Sequence, residues 1–191
     1  MDKTIKQTDI SQTQQTSTLH MAKSYLCKMK GGKCSALPKI SLTGLLVTSL
    51  GSFAGIGLVT LLATYYNLPL LLPPFGATAV LLYGACHVPM AQPRNVIGGH
   101  LISAFAGVTT YQFFGNFWWS ITLGVTISII IMTITHTLHP PGGATAFVAV
   151  YTGQNYSFIF SPVGIGIICL VLIAVIINNI SSQRKYPDYW Y

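Results

Sequence analysis

The pattern of apolar and polar positions changes abruptly near residue 40. Before it, Gln, Thr, Ser and Lys follow one another with no helical or strand period. After it, apolar runs dominate to within a dozen residues of the end. Residues 41–64, 96–114, 117–137 and 163–180 are each long enough to cross about 30 Å of hydrocarbon as a helix rising 1.5 Å per residue. Two shorter runs lie between them, 68–84 and 141–153, and prolines interrupt both. The order is long, short and broken, long, and then the same again. This predicts an all-α polytopic membrane protein of two structural repeats, about 41–114 and 117–180. A tail over 1–37, expected to be disordered and cytoplasmic, precedes a transmembrane domain over 38–183. Residues 184–191 form a short cytoplasmic end.

The two broken runs share a phrase. Pro73-Pro74-Phe75-Gly76-Ala77-Thr78-Ala79 returns as Pro140-Pro141-Gly142-Gly143-Ala144-Thr145-Ala146, displaced by 67 positions, with only the third residue changed. At the same displacement Gly57 falls on Gly124, Val96 on Val163 and Gly99 on Gly166. Matched interruptions in two halves of a membrane chain point to a transporter's binding site, and a three-crossing unit must be inverted in its second copy.

Composition agrees with the membrane reading. Apolar residues make up 51% of the chain and charged residues 7%, against about 25% charged in soluble domains. Arg94 is the one charged side chain between Lys39 and Arg184. The net charge of +7 comes largely from Lys23, Lys28, Lys30, Lys33 and Lys39. A basic flank is what the positive-inside rule asks for, and it argues against a nucleic-acid partner. With six crossings this flank, Arg94 and Arg184-Lys185 all fall on the cytoplasmic side. With the broken runs re-entrant, four spans remain and Arg94 falls outside. The positive-inside rule favours six.

In each phrase the first proline pushes the residue before it out of the α region, and the second, Pro74 or Pro141, suits the first position of a new helix inside or near the membrane. The first N–H groups of such a helix have no partner in hydrocarbon, and an anion is their natural guest. The candidate donors are the backbone N–H groups of Phe75, Gly76, Ala77, Gly142, Gly143 and Ala144, helped by the hydroxyls of Thr78 and Thr145. Gly76 and Gly143 are expected to admit the anion by lacking a side chain. The bland alternative is a pair of breaks satisfied by neighbouring Ser, Thr and water. Carriers of cations or protons usually keep Asp or Glu within their spans, and here the acids are Asp2, Asp9 and Asp188.

Three further side chains join the candidate anion site. Arg94 supplies the lone positive charge. His139 precedes the second proline pair, and His100 lies about one turn into the span after Arg94. Either imidazole can titrate near neutral pH, or simply bond a backbone carbonyl. His136 and His139 share a helical spacing, but two imidazoles without a carboxylate or thiolate make a poor metal site. Cys27 and Cys34 match no common zinc pattern, and Cys86 and Cys169 read as small apolar fillers. No metal or other cofactor is expected. No acid–base pair or nucleophile–base arrangement is visible, so no enzyme is expected.

The stretch His139-Pro140-Pro141-Gly142-Gly143-Ala144-Thr145-Ala146 closely resembles the signature of the HPP family of integral membrane proteins. Residues 74–84, 91–100 and 186–190 resemble it too, and the resemblance covers roughly 40–190. The family is usually described with four spans, and some members are linked to nitrite transport. The resemblance implies a small-anion carrier or channel, with nitrite the leading substrate. The expected location is the inner (plasma) membrane of a bacterium. It brings no established set of functional residues. A non-transporting membrane scaffold is the rival from another class. The small size of the domain suggests a homo-oligomer.

Overall fold

In the computed structural model, residues 23–29 and 41–191 are described. Residues 23–29 form a short exposed helix inside the stretch expected to be disordered. The rest of that stretch, with Cys34 and His20, lies outside the described residues. The second unit, residues 40–191, is built from helices alone among its described residues.

Helix α1 (Leu42–Tyr66) starts at Ser41, whose Oγ accepts from the Gly44 N–H, and stops at Asn67 in the left-handed conformation. It buries only Gly51, Gly55, Val59 and Ala63, a stripe four residues apart. Ile56 and Leu62 are half-buried against the core, while Leu46, Leu50, Phe53 and Leu61 remain exposed. In water such a surface would aggregate, whereas in a bilayer lipid covers it. α1 and the segment Ile159–Asn178 are each long and apolar enough to span a membrane, and the apolar helix Trp118–Ile134 is shorter.

After α1 comes the first broken segment. Helix α2 (Pro73–Ala79) continues into a wider π turn over Val80–Gly84. A 3₁₀ turn (Pro89–Ala91) leads to α3 (Pro93–Phe114). Helix α4 (Trp118–Ile134) follows, then the second broken segment α5 (Pro140–Tyr151). A π segment over Ile159–Gly164, kinked at Ser161 ahead of Pro162, runs into the last helix, α6 (Ile165–Asn178). Both broken segments begin at the first proline of the shared phrase. They end at Gly84 and Tyr151, again 67 positions apart.

The central helix is α3, not one of the outer ones. Eleven of its residues are buried, and it packs on α4, α5 and the π segment. Small residues let it come close to α5. A side chain at Gly107 would strike the Ala146 carbonyl, and one at Gly99 would strike His139. Gly166 of α6 sits in the same way against the ring of Phe75 on α2. Each of these paired glycines therefore packs on the break of the other half. The echo of Gly57 in Gly124 has no such counterpart: Gly57 faces open space, while Gly124 packs against Val150 and Thr110.

Side-chain contacts fix which ends lie together. Arg184 donates to the carbonyls of Gly44 and Tyr83 and to the Asn178 side chain. The C-terminal segment also reaches the start of α3, where the Tyr186 hydroxyl donates to the Ala91 carbonyl and the Asp188 N–H to Gln92 Oε1. Arg94 in turn donates to the Thr135 carbonyl at the end of α4. At the opposite end, Asn116 donates to the Tyr151 carbonyl and Gln112 to that of Gln154. Pro73 lies alongside Ile56, Val59 and Thr60, halfway along α1, while Tyr83 lies across Gly51 and Gly55 nearer its start. The chain thus travels from the far end of α1, through the break at Pro73, back toward the end holding Arg184. α5 runs the opposite way, from the Arg94 end to the Asn116 end.

Candidate functional site

The helical register of the breaks decides which of their residues face inward. On α2 the buried positions are Pro74, Phe75, Thr78 and Ala79. On α5 they are Pro141, Gly142, Thr145, Ala146, Ala149 and Val150. Steps of 100° per residue send Gly76 and Ala77 outward on the first break and Ala144 outward on the second, with Gly143 half-buried. A methyl group at Gly76 would touch nothing, and one at Gly143 would only graze Val125. These glycines do not open an approach to a shared site, which corrects the expectation for them. The tight position is the neighbouring Gly142, where a methyl would lie 2.7 Å from Ser103 Oγ and 2.9 Å from the Gly99 carbonyl.

The helix starts are poorer in free donors than expected. Pro73, Pro74, Pro140 and Pro141 have no N–H to leave unpaired. The first available donors, Phe75 and Gly142, give their N–H groups to the carbonyls of Leu72 and His139 at 3.0 and 2.8 Å. The N–H of Leu72 goes to Leu70. Among the described residues every fully buried side-chain polar atom has a partner.

The two threonines behave differently. Thr78, His100, His139 and Thr145 are all completely buried and form one continuous hydrogen-bonded chain. His100 Nδ1 lies 2.8 Å from Thr145 Oγ1, and its Nε2 lies 2.8 Å from Thr78 Oγ1. His139 Nε2 lies 3.1 Å from the same Thr78 oxygen, and its Nδ1 is 2.8 Å from the Met90 carbonyl. The rings of His100 and His139 stand 4.8 Å apart, and Phe75 meets His100 edge-on at 5.8 Å. Four helical elements contribute: α2, the Pro89–Ala91 turn, α3 and the start of α5.

The chain has a direction when both rings are neutral. A carbonyl only accepts, so His139 carries its hydrogen on Nδ1 and accepts at Nε2. The donor there is the Thr78 hydroxyl, which has one hydrogen. His100 Nε2 must then donate to Thr78, and His100 Nδ1 accepts from Thr145. Every hydrogen points from Thr145 toward Met90.

Arg94 stands apart from this chain. It lines an open cavity of about 430 Å³ with Asn95, His136, Met90, Leu138 and Tyr189. Asn95 donates to the Leu138 carbonyl at 3.0 Å, and Leu138 is the residue before His139. The cavity floor therefore adjoins the Met90 end of the buried chain. Close by, burial raises the Tyr186 phenol well above its ordinary pKa and also pushes the Cys86 thiol up.

Sequence reasoning missed Met90, whose backbone carbonyl carries no side-chain signal. It also missed Ser103 and Met132, which pack on Gly142. His100 and His139 were each visible as polar groups, but their pairing depends on how α3 crosses α5.

Comparison with known proteins agrees with the membrane architecture. The HPP transmembrane region family matches residues 37–187. A transmembrane protein of Dictyostelium discoideum is 38% identical over 156 residues, which cover 75% of this chain and 55% of the relative. A second, from the same organism, is 36% identical over 181 residues, covering 87% and 57%. The chain thus spans little more than half the length of these curated relatives. No solved structure matches. A transmembrane family that matches nearly the whole helical unit, breaks and central helix included, places this chain: it belongs to the HPP family of membrane proteins.

Proposed function

We propose that this protein is a transporter of a small monovalent anion, with nitrite the leading substrate. The observation that carries the reading is the junction of Thr78 and Thr145 through His100. Two matched breaks meet at one fully buried polar belt in the interior of an apolar protein. Polar groups at such depth are expensive and mark substrate pathways. The belt is built of hydroxyls and imidazoles rather than fixed charges, and a weakly hydrated monovalent anion that displaces one of its internal hydrogen bonds meets donors with no acid beside them. Arg94 in the adjoining cavity draws the anion in.

The contacts between ends support six crossings with inverted halves. α5 and α2 run in opposite directions, and α5, like α2 taken with its π turn, is about 18 Å long at 1.5 Å per residue, so each starts partway through the bilayer. With the basic residues inside, both ends of the helical unit face the cytoplasm, across a plasma or inner membrane. The exposed apolar face of α1 suits lipid or a second copy of the chain.

Nitrite uptake into liposomes holding the purified full chain tests the reading. Uptake above that of empty liposomes, reduced in Thr145→Val, is expected. Wild-type uptake equal to that of empty liposomes would overturn transport and favour a scaffold, in which the belt only ties the breaks together.

A further inference from the structure

The buried chain has a second arrangement that also satisfies every hydrogen. Let His139 Nε2 gain a proton. It then donates to Thr78 Oγ1, and Thr78 turns its hydrogen to His100 Nε2. His100 now carries its hydrogen on Nδ1 and donates to Thr145 Oγ1. The Thr145 hydroxyl turns to the Pro141 carbonyl, 3.3 Å away. No heavy atom has to move and no donor is orphaned. The two arrangements differ by one proton and by the direction of the whole chain.

We propose that this chain relays protons from Thr145 of the second break, by way of Thr78 of the first, to His139 at the cavity end, so that the protein moves a proton together with its anion. The proposal rests on the anion reading above and names its coupling ion. The step balances without any bond to carbon. A proton reaches Thr145 Oγ1, and the hydroxyl hydrogen already there passes to His100 Nδ1. The hydrogen on His100 Nε2 passes to Thr78 Oγ1, and that of Thr78 passes to His139 Nε2. One positive charge has then moved from Thr145 to His139. His139 releases its Nδ1 hydrogen past Met90 toward the Arg94 cavity. The chain resets when His139 exchanges its remaining hydrogen from Nε2 to Nδ1 and His100 from Nδ1 to Nε2, with the two hydroxyls turning back. Imidazole suits the task because it has a donor on one edge and an acceptor on the other, and exchanges them.

The surroundings leave the proton nowhere else to go. Helices α2, α4 and α5 carry no charged side chain. α3 carries Arg94, which is turned to the Thr135 carbonyl and not to either imidazole. His136 lies across the cavity, Cys86 and His87 precede the Met90 turn, and Asp188 follows Tyr186 beside Gln92. With no acid between Lys39 and Arg184, the imidazoles take the part that a carboxylate usually plays in such carriers.

The test uses the full chain in liposomes containing a trapped pH dye, with the membrane potential clamped by potassium and valinomycin. Nitrite is added outside, and its uptake is measured chemically alongside the dye signal. Acidification of the lumen in step with nitrite uptake, beyond that of empty liposomes, is expected. Thr78→Val interrupts the chain and should slow proton entry by roughly a hundredfold, the low end of what a positioned proton-transfer group contributes. Thr78→Ser should restore it. Uptake of nitrite with no dye response would overturn the relay and leave the anion reading standing. A dye response driven by a pH gradient alone, without nitrite uptake, would uphold the relay and remove nitrite. Silence in both would remove both. ¹⁵N NMR of labelled histidines gives a readout independent of transport: His100 is expected to exchange its hydrogen from Nε2 to Nδ1 as pH falls, and a single tautomer at every pH would overturn the proposal.

Discussion

Arg184 and Tyr83 meet across 101 positions of sequence, the guanidinium Nη1 donating to the tyrosine carbonyl at 2.8 Å. That carbonyl sits in the π turn at the end of the first broken segment, where the regular helical ladder is interrupted. Thr48 donates to the same oxygen at 2.8 Å, and Asn178 covers the neighbouring Leu82 carbonyl. The other guanidinium nitrogen, Nη2, binds the Gly44 carbonyl and Thr48 Oγ1. One side chain thus joins α1, the first break and α6. Arg184→Ala should lower stability by about 2–3 kcal/mol, as expected for hydrogen bonds to a charged group whose buried acceptors lose a partner. Arg184→Lys should recover part of it, because a point charge cannot fork to four acceptors. Thermal unfolding in detergent checks both, and an Arg184→Ala protein as stable as wild type would remove the clamp.

The same contact bears on topology. Tyr83 lies at the Gly44 end, so the first broken segment returns to the side from which α1 started. Cysteines placed singly at Arg94 and Lys185, in a protein whose native cysteines are replaced, should react with an impermeant reagent only from the cytoplasmic side. A cysteine at Asn116 should react only from outside. Labelling of position 94 from outside would sink the six-crossing arrangement.

The two glycines of the second break should part company. Gly142→Ala places a methyl against Ser103 and the Gly99 carbonyl, where backbone cannot yield. A cost of about 1–3 kcal/mol follows from overpacking. Gly143→Ala and Gly76→Ala meet open space and should leave stability within about 0.5 kcal/mol of wild type or raise it. Comparing the melting temperatures of the three variants checks the helical register directly. Equal losses at all three positions would contradict it.

Arg94 has two duties to separate. It ends α4 by capping the Thr135 carbonyl, and it is the one charge lining the cavity beside the buried chain. Arg94→Gln should lower nitrite uptake at low salt and converge on wild type at high salt, since attraction across the cavity mouth is screened within about 10 Å at 0.1 M. Uptake that matches wild type at every ionic strength, in a correctly inserted protein, would leave only the cap.

Much of the fold was legible in the chain because the signals were local. The proline pairs mark the helix starts to within one residue: the second prolines, Pro74 and Pro141, are the expected first positions, and the helices begin one residue earlier at Pro73 and Pro140, since proline is tolerated throughout the first turn. The long and short runs appear in the expected order. The inward side of each break was not legible, because seven residues carry no apolar period of their own, and the side is set by what α3 presents. Hence the sequence points to Gly76 and Gly143 as steric openings, whereas the close contact in the structure is at Gly142. The pairing of His100 with His139 was hidden for the same reason. Arg184 signalled only topology in the sequence. Its fork to Tyr83 depends on a π turn that no residue type announces.

The double prolines have a bearing on assembly as well as on the finished protein. An ordinary helix that begins inside a bilayer exposes several bare N–H groups, each costing several kcal/mol in hydrocarbon. Here two of those groups do not exist, and the next is closed by the Leu72 or His139 carbonyl. Each break is sealed by its own residues, without help from the other half. The first half can therefore enter the membrane and wait during synthesis with its helix end already insulated, and the second half joins it through the threonines and histidines rather than by rescuing stranded backbone.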